Sequence, residues 1–335
     1  MRTRSVELPI LKPWFGTYHC HGSGDAALYR NPTMLKWHLN QSVALVCSTR
    51  FLEGYTSPEV NVELTSVQEN PYLDRVCYPL RYLGRAANAV ICSLLEDGYY
   101  VYYHGVDDYY IPGKTWHNER HFIHDGLICG YDQSEKTYSI FAYDDRWIYR
   151  VFQTPQSAWE AGRRYAFGQE HYGFIYGIRP RDDNEIVDLD LPQIHARLET
   201  YLQRSCSVAD IQQPPYVYGI AVHDYIDAYL AKLIDGSVPY ERMDRRVFRL
   251  IADHKEVMLK RLKGVEDRLS LGNDASVQYQ SVVRQSDKMR MLYAAHHMQR
   301  RDTLLSTVRI MLHDVQMQEE MILAEFTEKM GAALK

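Results

Sequence analysis

Cysteine is scarce in this sequence: there are 6 among 335 residues, and no two of them form a CxxC pair. A chain of this length can bury a core without cross-links, so scattered thiols indicate reduced cysteines rather than a disulfide framework or a zinc finger. No apolar run approaches the roughly 18 residues of a membrane span. Residues 1–12 have no apolar segment typical of a signal peptide. These absences predict a cytoplasmic protein without a membrane partner.

Clustered positive charge is also missing. The formal net charge is −5, which argues against the basic footprint of a nucleic-acid-binding protein. Hydrophobic residues make up 46% and charged residues 24%, an ordinary balance that excludes a disordered chain. Tyrosine is what the sequence has in excess, with 27 Tyr against 9 Phe and 5 Trp.

Composition changes near residue 180. Residues 1–180 contain all 5 Trp, 19 of the 27 Tyr, 14 of the 19 Gly and 9 of the 13 Pro, which favours strands and turns. Residues 181–335 contain 9 of the 11 Met, and the polar run 179–184 suits a linker. We therefore predict an α+β chain: an N-terminal domain with an antiparallel sheet at 1–180, followed by an all-α helical bundle at 181–335.

Apolar spacing supports a bundle in the second half. Apolar residues recur every three to four positions at 247–269 and 308–326, and two more helices are predicted at 192–204 and 218–235. The stripe at 247–269 includes His254, which we expect to be a buried, hydrogen-bonded histidine rather than a ligand. Helices with such stripes are expected to pack against one another.

The first half predicts a helix at 85–97 and a strand at 99–104. A β-hairpin is predicted next, with strands at 121–131 and 137–144 joined by the polar turn 132–136.

The turn length sets which side chains oppose each other. A five-residue turn places Tyr131 opposite Thr137 and, further along, His124 opposite Asp144. Opposed side chains lie roughly 5 Å apart, so the carboxylate could accept the imidazole N–H and orient the ring. A purely structural pair is the alternative. A metal site with His121 is not favoured, because residues i and i+3 of a strand face opposite sides.

Cys20 is the candidate nucleophile. It lies in the run YHCHGSGD at 18–25, where imidazoles and glycines form a setting that favours a thiolate. An early cysteine, with His124 and Asp144 more than 100 residues later, matches the chain order of papain-like cysteine enzymes.

Five segments carry a resemblance to a known family: 88–102 (NAVICSLLEDGYYVY), 106–112 (VDDYYIP), 121–132 (HFIHDGLICGYD), 243–248 (MDRRVF) and 254–258 (HKEVM). They resemble the butirosin biosynthesis protein H-like family, and most closely a branch encoded beside nonribosomal peptide and related thiotemplated pathways. Members of that branch carry a helical C-terminal part.

The resemblance implies a papain-like N-terminal fold, similar also to the cysteine peptidases that process bacteriocin leaders. It implies an acyltransferase that moves an acyl group from a carrier-protein thioester to an amine, with Cys20, His124 and Asp144 as its triad. The partners would be an acyl or peptidyl carrier protein, which bears the donor on phosphopantetheine, and an amine acceptor. No metal and no separate cofactor are expected.

Two other functions stay open. Residues 1–19 contain no Gln or Asn, the side chains that usually help to form the oxyanion hole of papain-like enzymes. The chain could therefore be a non-catalytic papain-fold partner of a thiotemplated assembly line. A cysteine peptidase is the other alternative, because the family is similar to such peptidases. The sequence leaves the acyl donor, the acceptor and the oligomeric state undetermined.

The tyrosine excess is concentrated before the hairpin, at positions 99, 100, 102, 103, 109 and 110. Alternation along the strand predicts that Tyr100 and Tyr102 share one face and Tyr103 lies on the other, so one face packs inward. The other face could wall a cleft, and we expect Tyr102, Asp107 and Tyr109 to contact substrate. A solvated loop is the alternative for the Asp107–Asp108 pair.

Overall fold

The computed structural model describes residues 5–16, 19–55, 57–62, 70–146, 148–169, 173–181, 186–203 and 216–335, without the side chains of 19–21. The chain forms two compact units, Met1–Met34 with Thr65–Ile186, and Leu35–Leu64 with Val187–Lys335. The second unit resumes close to the boundary predicted at 180. Residues 35–64, which composition assigns to the N-terminal domain, belong to the second unit.

The regular elements make the chain a mixed α+β protein with an antiparallel sheet and C-terminal helices. Its strands are β1 (Ser5–Glu7), β2 (Leu45–Ser48), β3 (Asn61–Val62), β4 (Leu73–Pro79), β5 (Tyr100–Asp107), β6 (Ile123–Asp132), β7 (Thr137–Tyr143), β8 (Tyr149–Pro155), β9 (Phe174–Pro180) and β10 (Tyr216–Tyr218). Its helices are α1 (His19–Ala27), α2 (Trp37–Gln41), α3 (Leu80–Leu83), α4 (Ala87–Glu96), α5 (Gln156–Gly168), α6 (Leu191–Leu202), α7 (Val222–Ile234), α8 (Val247–Leu269), α9 (Asp274–Gln299) and α10 (Asp302–Ala333).

The first unit is built on one antiparallel sheet in the order β4–β9–β5–β6–β7–β8. The short β1 also pairs with β6. It pairs with the last three residues of β6, which β5 does not reach. The central strands β5, β6 and β9 contact α1, and a separate apolar core forms between the sheet, α4 and α5. The sheet is therefore covered by helices on both faces.

Alternation along β5 divides its tyrosines between these faces, as predicted. Tyr103 meets Trp159 of α5 edge to face, with ring centroids 6.0 Å apart. Tyr100 meets Tyr29, just after α1, with centroids 6.4 Å apart. Tyr102, on the same side as Tyr100, is only 5% exposed. Both faces of β5 are thus buried, and packing explains this part of the tyrosine excess.

The predicted hairpin is formed by β6 and β7, with a register set by two compensating differences. The turn is one residue shorter than expected, so Asp132 rather than Tyr131 lies opposite Thr137. The pairing then shifts by one residue between Ile128 and Gly130. Beyond the shift, the predicted register returns and runs to the last pair, where Leu127 faces Phe141.

The second unit packs α8, α9 and α10 against one another, with α6 and α7 against α10. The helix α9 was not predicted because its buried stripe mixes apolar with polar side chains. The second unit is not all-α as predicted, since β10, β2 and β3 form a small sheet. Among the residues that the structure describes, no helix is long and apolar enough to cross a membrane. The buried stripe of α9 consists of Ser276, Tyr279, Val282, Ser286, Met289, Tyr293 and His296.

Buried polar side chains of α8 bind residues 38–43 into this unit. The Arg261 guanidinium donates to the carbonyls of His38, Leu39 and Ser42 at 2.7–3.0 Å, at the C-terminal end of α2. His254 donates through Nε2 to the Val43 carbonyl at 2.8 Å and is fully buried, which confirms its predicted structural role. Because these bonds join positions more than 200 residues apart, composition could not reveal them.

An ionic centre lies in the middle of the second unit. Glu319 and Lys255 are both fully buried, and Lys255 Nζ donates to Glu319 Oε2 at 2.6 Å. The hydroxyls of Tyr201 and Tyr279 donate to the same carboxylate at 3.1 and 2.5 Å. Burial raises the pKa of Glu319, but the charge and hydrogen bond of Lys255 together with the neighbouring His223 and His254 outweigh this effect and lower the pKa to about 2. Glu319 is therefore a carboxylate whose oxygens accept bonds from three side chains.

Removing either charge of this centre should destabilise the protein strongly. Lys255→Met and Glu319→Gln should each lower the free energy of unfolding by about 3–5 kcal/mol, because each leaves a buried partner uncompensated. The double variant Lys255→Met/Glu319→Gln should lose less than the sum of the two single losses, measured by urea denaturation. The exposed pair Lys329–Glu325 on α10, 2.7 Å apart, is the control, and breaking it should have a much smaller effect on stability. Additive losses in the double variant would contradict the coupling.

Candidate functional site

The start of β6 is positioned by its pairing with the end of β5. His124, the second residue of β6, lies directly opposite Val106. The pairing shifts by one residue at Gly105, whose φ of 89° lies in the left-handed region that favours glycine. Beyond the strand pairs, the Asp108 N–H donates to the Phe122 carbonyl at 2.9 Å. The end of β5 is therefore fixed against the residues that carry His124.

The His124 imidazole lies between two carboxylates. Its Nδ1 is 3.6 Å from Asp108 Oδ2 and its Nε2 is 3.4 Å from Asp125 Oδ1, while 34% of the side chain is exposed. Lys114 is buried, and its Nζ lies 3.5 Å from Asp108 Oδ1 and 3.5 Å from the Asp125 carbonyl. An accessible imidazole flanked in this way can take up a proton at one nitrogen while a carboxylate stabilises the charge at the other.

Two tyrosines of β5 lie next to this cluster. Tyr102, expected to contact substrate, instead donates its hydroxyl to Asp125 Oδ2 at 2.5 Å and so positions that carboxylate. In the described part of the chain, the buried Tyr103 hydroxyl has no hydrogen-bond partner. A Cβ at position 126 would lie 2.6 Å from that oxygen, so Gly126 is required for it to fit. Burial raises the pKa of Tyr103 well above its usual value, and the charge of Asp108 adds to this.

Asp144, predicted to face His124, lies at the turn between β7 and β8. Its Oδ1 accepts from the N–H groups of Arg146 and Ile148 at 2.9 and 2.8 Å, and its Oδ2 accepts from Arg150 Nε. Strand pairing stops before it reaches this position. Among the described hydrogen bonds and ion pairs of Asp144, none is with His124. The chain bends away here because the carboxylate closes the turn.

The structure contains a second His–Asp pair, which was not predicted from the sequence. His121 Nδ1 donates to Asp107 Oδ2 at 2.6 Å, and Asp107 is fully buried with its Oδ1 accepting from two backbone N–H groups. The His121 ring stacks on Tyr165 at 4.0 Å and on Tyr109 at 4.4 Å, with 45% of its side chain exposed. Asp107 thus orients His121 and is not part of a solvated loop.

The alternation of side chains along a strand could not identify this pair, because His121 precedes the first residue of β6. A usable signal was present in the sequence: two consecutive aspartates and two histidines three residues apart, on segments predicted to be neighbours. The structure pairs them in order, Asp107 with His121 and Asp108 with His124.

The backbone of Cys20 lies in the first turn of α1, while its side chain is outside the described residues. The segment before α1 is tied to the end of β7, since the Tyr143 hydroxyl donates to the Gly16 carbonyl at 2.7 Å. Within α1, a Cβ at position 22 would lie 2.7 Å from the Tyr149 hydroxyl at the start of β8, so Gly22 permits a close approach. The N-terminal part of α1 therefore lies at the end of the sheet where β7 ends and β8 begins.

That end of the sheet is also where β6 begins, because β6 and β7 are antiparallel. The topology thus brings three features to the same end of the sheet: the first turn of α1, the turn at Asp144 and the start of β6 at His124. Within the described ranges, no group of three or more His, Cys, Asp or Glu side chains is arranged to hold a metal ion.

Comparisons with known proteins give no independent assignment. No family model matches the chain, and no curated protein is significantly similar to it.

The bonds of Asp144 make a prediction about stability. Burial raises its pKa, but the N–H of Ile148 and the guanidinium of Arg150 outweigh this and hold the pKa below its usual value. Asp144→Asn should therefore lower the free energy of unfolding by about 1–2 kcal/mol at neutral pH. A lowered pKa contributes stability above the unfolded pKa of about 3.9 and loses it as pH falls, so the difference should shrink below about pH 4.

Urea denaturation of the wild type and Asp144→Asn at several pH values would measure this effect. Asp145→Asn is the matched control, since it removes the same charge from the exposed neighbouring residue. Equal losses in the two variants, or a difference that does not depend on pH, would contradict a specific role for the Asp144 bonds.

Proposed function

We propose that this protein is a papain-like cysteine acyltransferase of natural-product biosynthesis. It transfers an acyl group from a carrier-protein thioester to an amine, with Cys20 as nucleophile and His124 as general acid and base. The proposal joins the family resemblance of the sequence to the geometry of the first unit. The cytoplasm is the expected location, and the amine acceptor and the carrier protein are the expected partners.

One observation carries the proposal: the first turn of α1 and the start of β6 lie at the same end of the sheet. Thiol catalysis requires the nucleophile and its base within hydrogen-bond reach of each other, and a shared end of the sheet supports placing Cys20 near His124. Two contacts support the proposal because they fix this end of α1. They are the hydrogen bond from Tyr143 to Gly16 and the close approach of Gly22 to Tyr149.

The chemistry follows from the two residues. His124 accepts the proton of the Cys20 thiol, and the thiolate attacks the thioester carbonyl to form a tetrahedral intermediate. Its collapse breaks the bond to the pantetheine sulfur, which leaves with the proton from His124. The amine then attacks the acyl-enzyme, His124 accepts the amine proton, and Cys20 leaves and is reprotonated. An amide and a free pantetheine thiol are the products.

The orienting carboxylate in this proposal is Asp108 rather than Asp144. Asp108 is nearly buried, faces Nδ1 of His124 and is held by Lys114, whereas Asp144 is bonded to its own turn. Asp125, positioned by Tyr102, lies beside the other ring nitrogen, where the proton would be exchanged.

The substrate contacts expected of Asp107 and Tyr109 are proposed to act through His121. Both Asp107 oxygens are bonded, so the exposed edge of the His121 ring, stacked on Tyr109, is the surface offered to an acceptor amine. In this assignment, Asp107 and Tyr109 position the His121 ring and do not contact the substrate themselves.

Replacing the nucleophile tests the proposal directly. Wild-type protein incubated with an acyl-pantetheine thioester should gain the mass of one acyl group, and Cys20→Ala should gain none. Cys77→Ala removes an exposed thiol elsewhere on the sheet and should be acylated like the wild type. Intact-mass spectrometry reads both results. Acylation of Cys20→Ala would leave a non-catalytic partner as the function, and release of acid in preference to amide would favour a hydrolase.

The orienting role of Asp108 is tested by comparing carboxylates. His124→Ala should reduce the acylation rate by roughly 10²–10⁴-fold, because the thiol loses its base. Asp108→Asn should slow acylation and shift its pH profile, while Asp144→Asn should change stability but not the profile. Stopped-flow acylation rates across pH measure this. A shifted profile in Asp144→Asn alone would return the role to Asp144.

A further inference from the structure

An aromatic side chain lies directly beside the proposed general base. Phe122 immediately precedes β6, and its ring centroid is 5.0 Å from that of the His124 imidazole, with the two ring planes tilted by 40°. Phe122 is nevertheless 37% exposed. Part of the surface next to the imidazole is therefore an accessible apolar ring.

The backbone of Phe122 is fixed on both sides. Its N–H donates to Asp107 Oδ1 at 2.8 Å, and its carbonyl accepts from the Asp108 N–H at 2.9 Å. Both aspartates are buried at the end of β5. A ring on a fixed backbone has little freedom left to lose when a ligand covers it, and this preorganisation favours binding.

A second aromatic ring extends this surface. The centroid of the half-buried Trp116 indole lies 6.4 Å from that of the Phe122 ring. The neighbouring Thr115 hydroxyl donates to the Asp144 carbonyl at 3.2 Å, which holds this segment at the same end of the sheet. The Arg120 guanidinium lies over the indole, 5.3 Å from its centroid. The two rings form an apolar wall beside His124, and Phe122 contributes the part that contacts the imidazole.

Three groups meet at His124 in the proposed reaction: the acyl group, the pantetheine arm and the acceptor amine. An aliphatic amine is mostly an ammonium ion at neutral pH, so the carboxylates beside the imidazole attract it. The pantetheine arm carries amide and hydroxyl groups, which need hydrogen-bond partners that a phenyl ring does not offer. The carbon chain of the acyl group has no such need, and its burial against an apolar ring is favourable.

We propose that the apolar wall of Phe122 and Trp116 binds the carbon chain of the acyl group and so selects apolar acyl groups over short ones. The inference rests on the proposed acyl transfer and adds the chemical class of the acyl donor to it. Phe122 is the principal contact, because Arg120 lies over the indole of Trp116.

The preference is measured with acetyl-pantetheine and hexanoyl-pantetheine as donors. For the wild type, kcat/KM of acylation should be roughly tenfold higher with the hexanoyl donor, because methylenes packed against an apolar surface add to transition-state binding. Phe122→Ala should bring the ratio of the two kcat/KM values close to one, and Phe122→Leu should retain most of it. Time-resolved intact-mass spectrometry gives the rates. An equal loss for both donors in Phe122→Ala would show that the ring only positions His124, and this would overturn the proposal.

Phe167→Ala is the matched control, since it removes a phenylalanine of α5 that is 49% exposed. It should keep the ratio of the wild type. A ratio that falls as far in Phe167→Ala as in Phe122→Ala would contradict a specific role for the wall. Circular dichroism of each variant checks that it folds.

Equilibrium binding separates this inference from the proposed catalysis. S-methyl-pantetheine and S-hexyl-pantetheine are thioethers without a thioester carbonyl, so they cannot acylate a thiol. In isothermal titration of Cys20→Ala, the hexyl thioether should bind roughly tenfold more tightly than the methyl thioether, and adding Phe122→Ala should remove the difference. Equal affinities in Cys20→Ala would overturn the wall even where the wild type is acylated. A clear difference in affinity without any acylation of the wild type would support the wall and overturn the acyltransferase.

Discussion

The pairing between β5 and β6, with its shift at Gly105, is the constraint on which the candidate site depends. A strand places successive side chains on opposite faces, so one extra residue changes which side chains meet beyond it. Here the shift precedes Asp107 and Asp108, and the following backbone bond to Phe122 fixes them against the start of β6. The two His–Asp pairs follow from that one irregularity.

The two pairs differ in their chemistry. His121 has a short, direct bond to a buried carboxylate and lies between aromatic rings, so its orientation is fixed. His124 is flanked by carboxylates at longer distances and has an exposed edge, which leaves it free to exchange a proton. The proposed acyl transfer uses this difference: one imidazole moves protons, and the other presents a fixed surface to the acceptor.

The second unit meets a different physical constraint, since it holds charged side chains in its interior. Glu319 and Lys255 compensate each other, and the hydroxyls of Tyr201 and Tyr279 donate one further hydrogen bond to each carboxylate oxygen. Such a centre contributes little net stability compared with apolar packing, but it penalises any arrangement that separates its members. It therefore specifies how α6, α8, α9 and α10 pack together.

Local pattern was sufficient for much of the fold. The apolar stripe of α8 predicted its bounds, and the turn residues predicted the β6–β7 hairpin, because periodicity and turn chemistry act over a few neighbouring positions. The helix α9 was missed because its buried stripe includes Ser286 and His296, which carry no apolar signal. The strands β2, β3 and β10 are two to four residues long, too short to show a period.

The candidate site was only partly accessible to the sequence. Sequence alone placed His124 in a hairpin strand and Cys20 far upstream of it, since strand and turn signals depend on local residues. Only the tertiary structure decided that Asp144 closes its own turn, that Asp108 faces His124 and that Asp107 orients His121. Those partners depend on a single bulge and on where strand pairing ends. Both are settled by packing between distant segments, because a one-residue shift has almost no local energetic signature in the sequence.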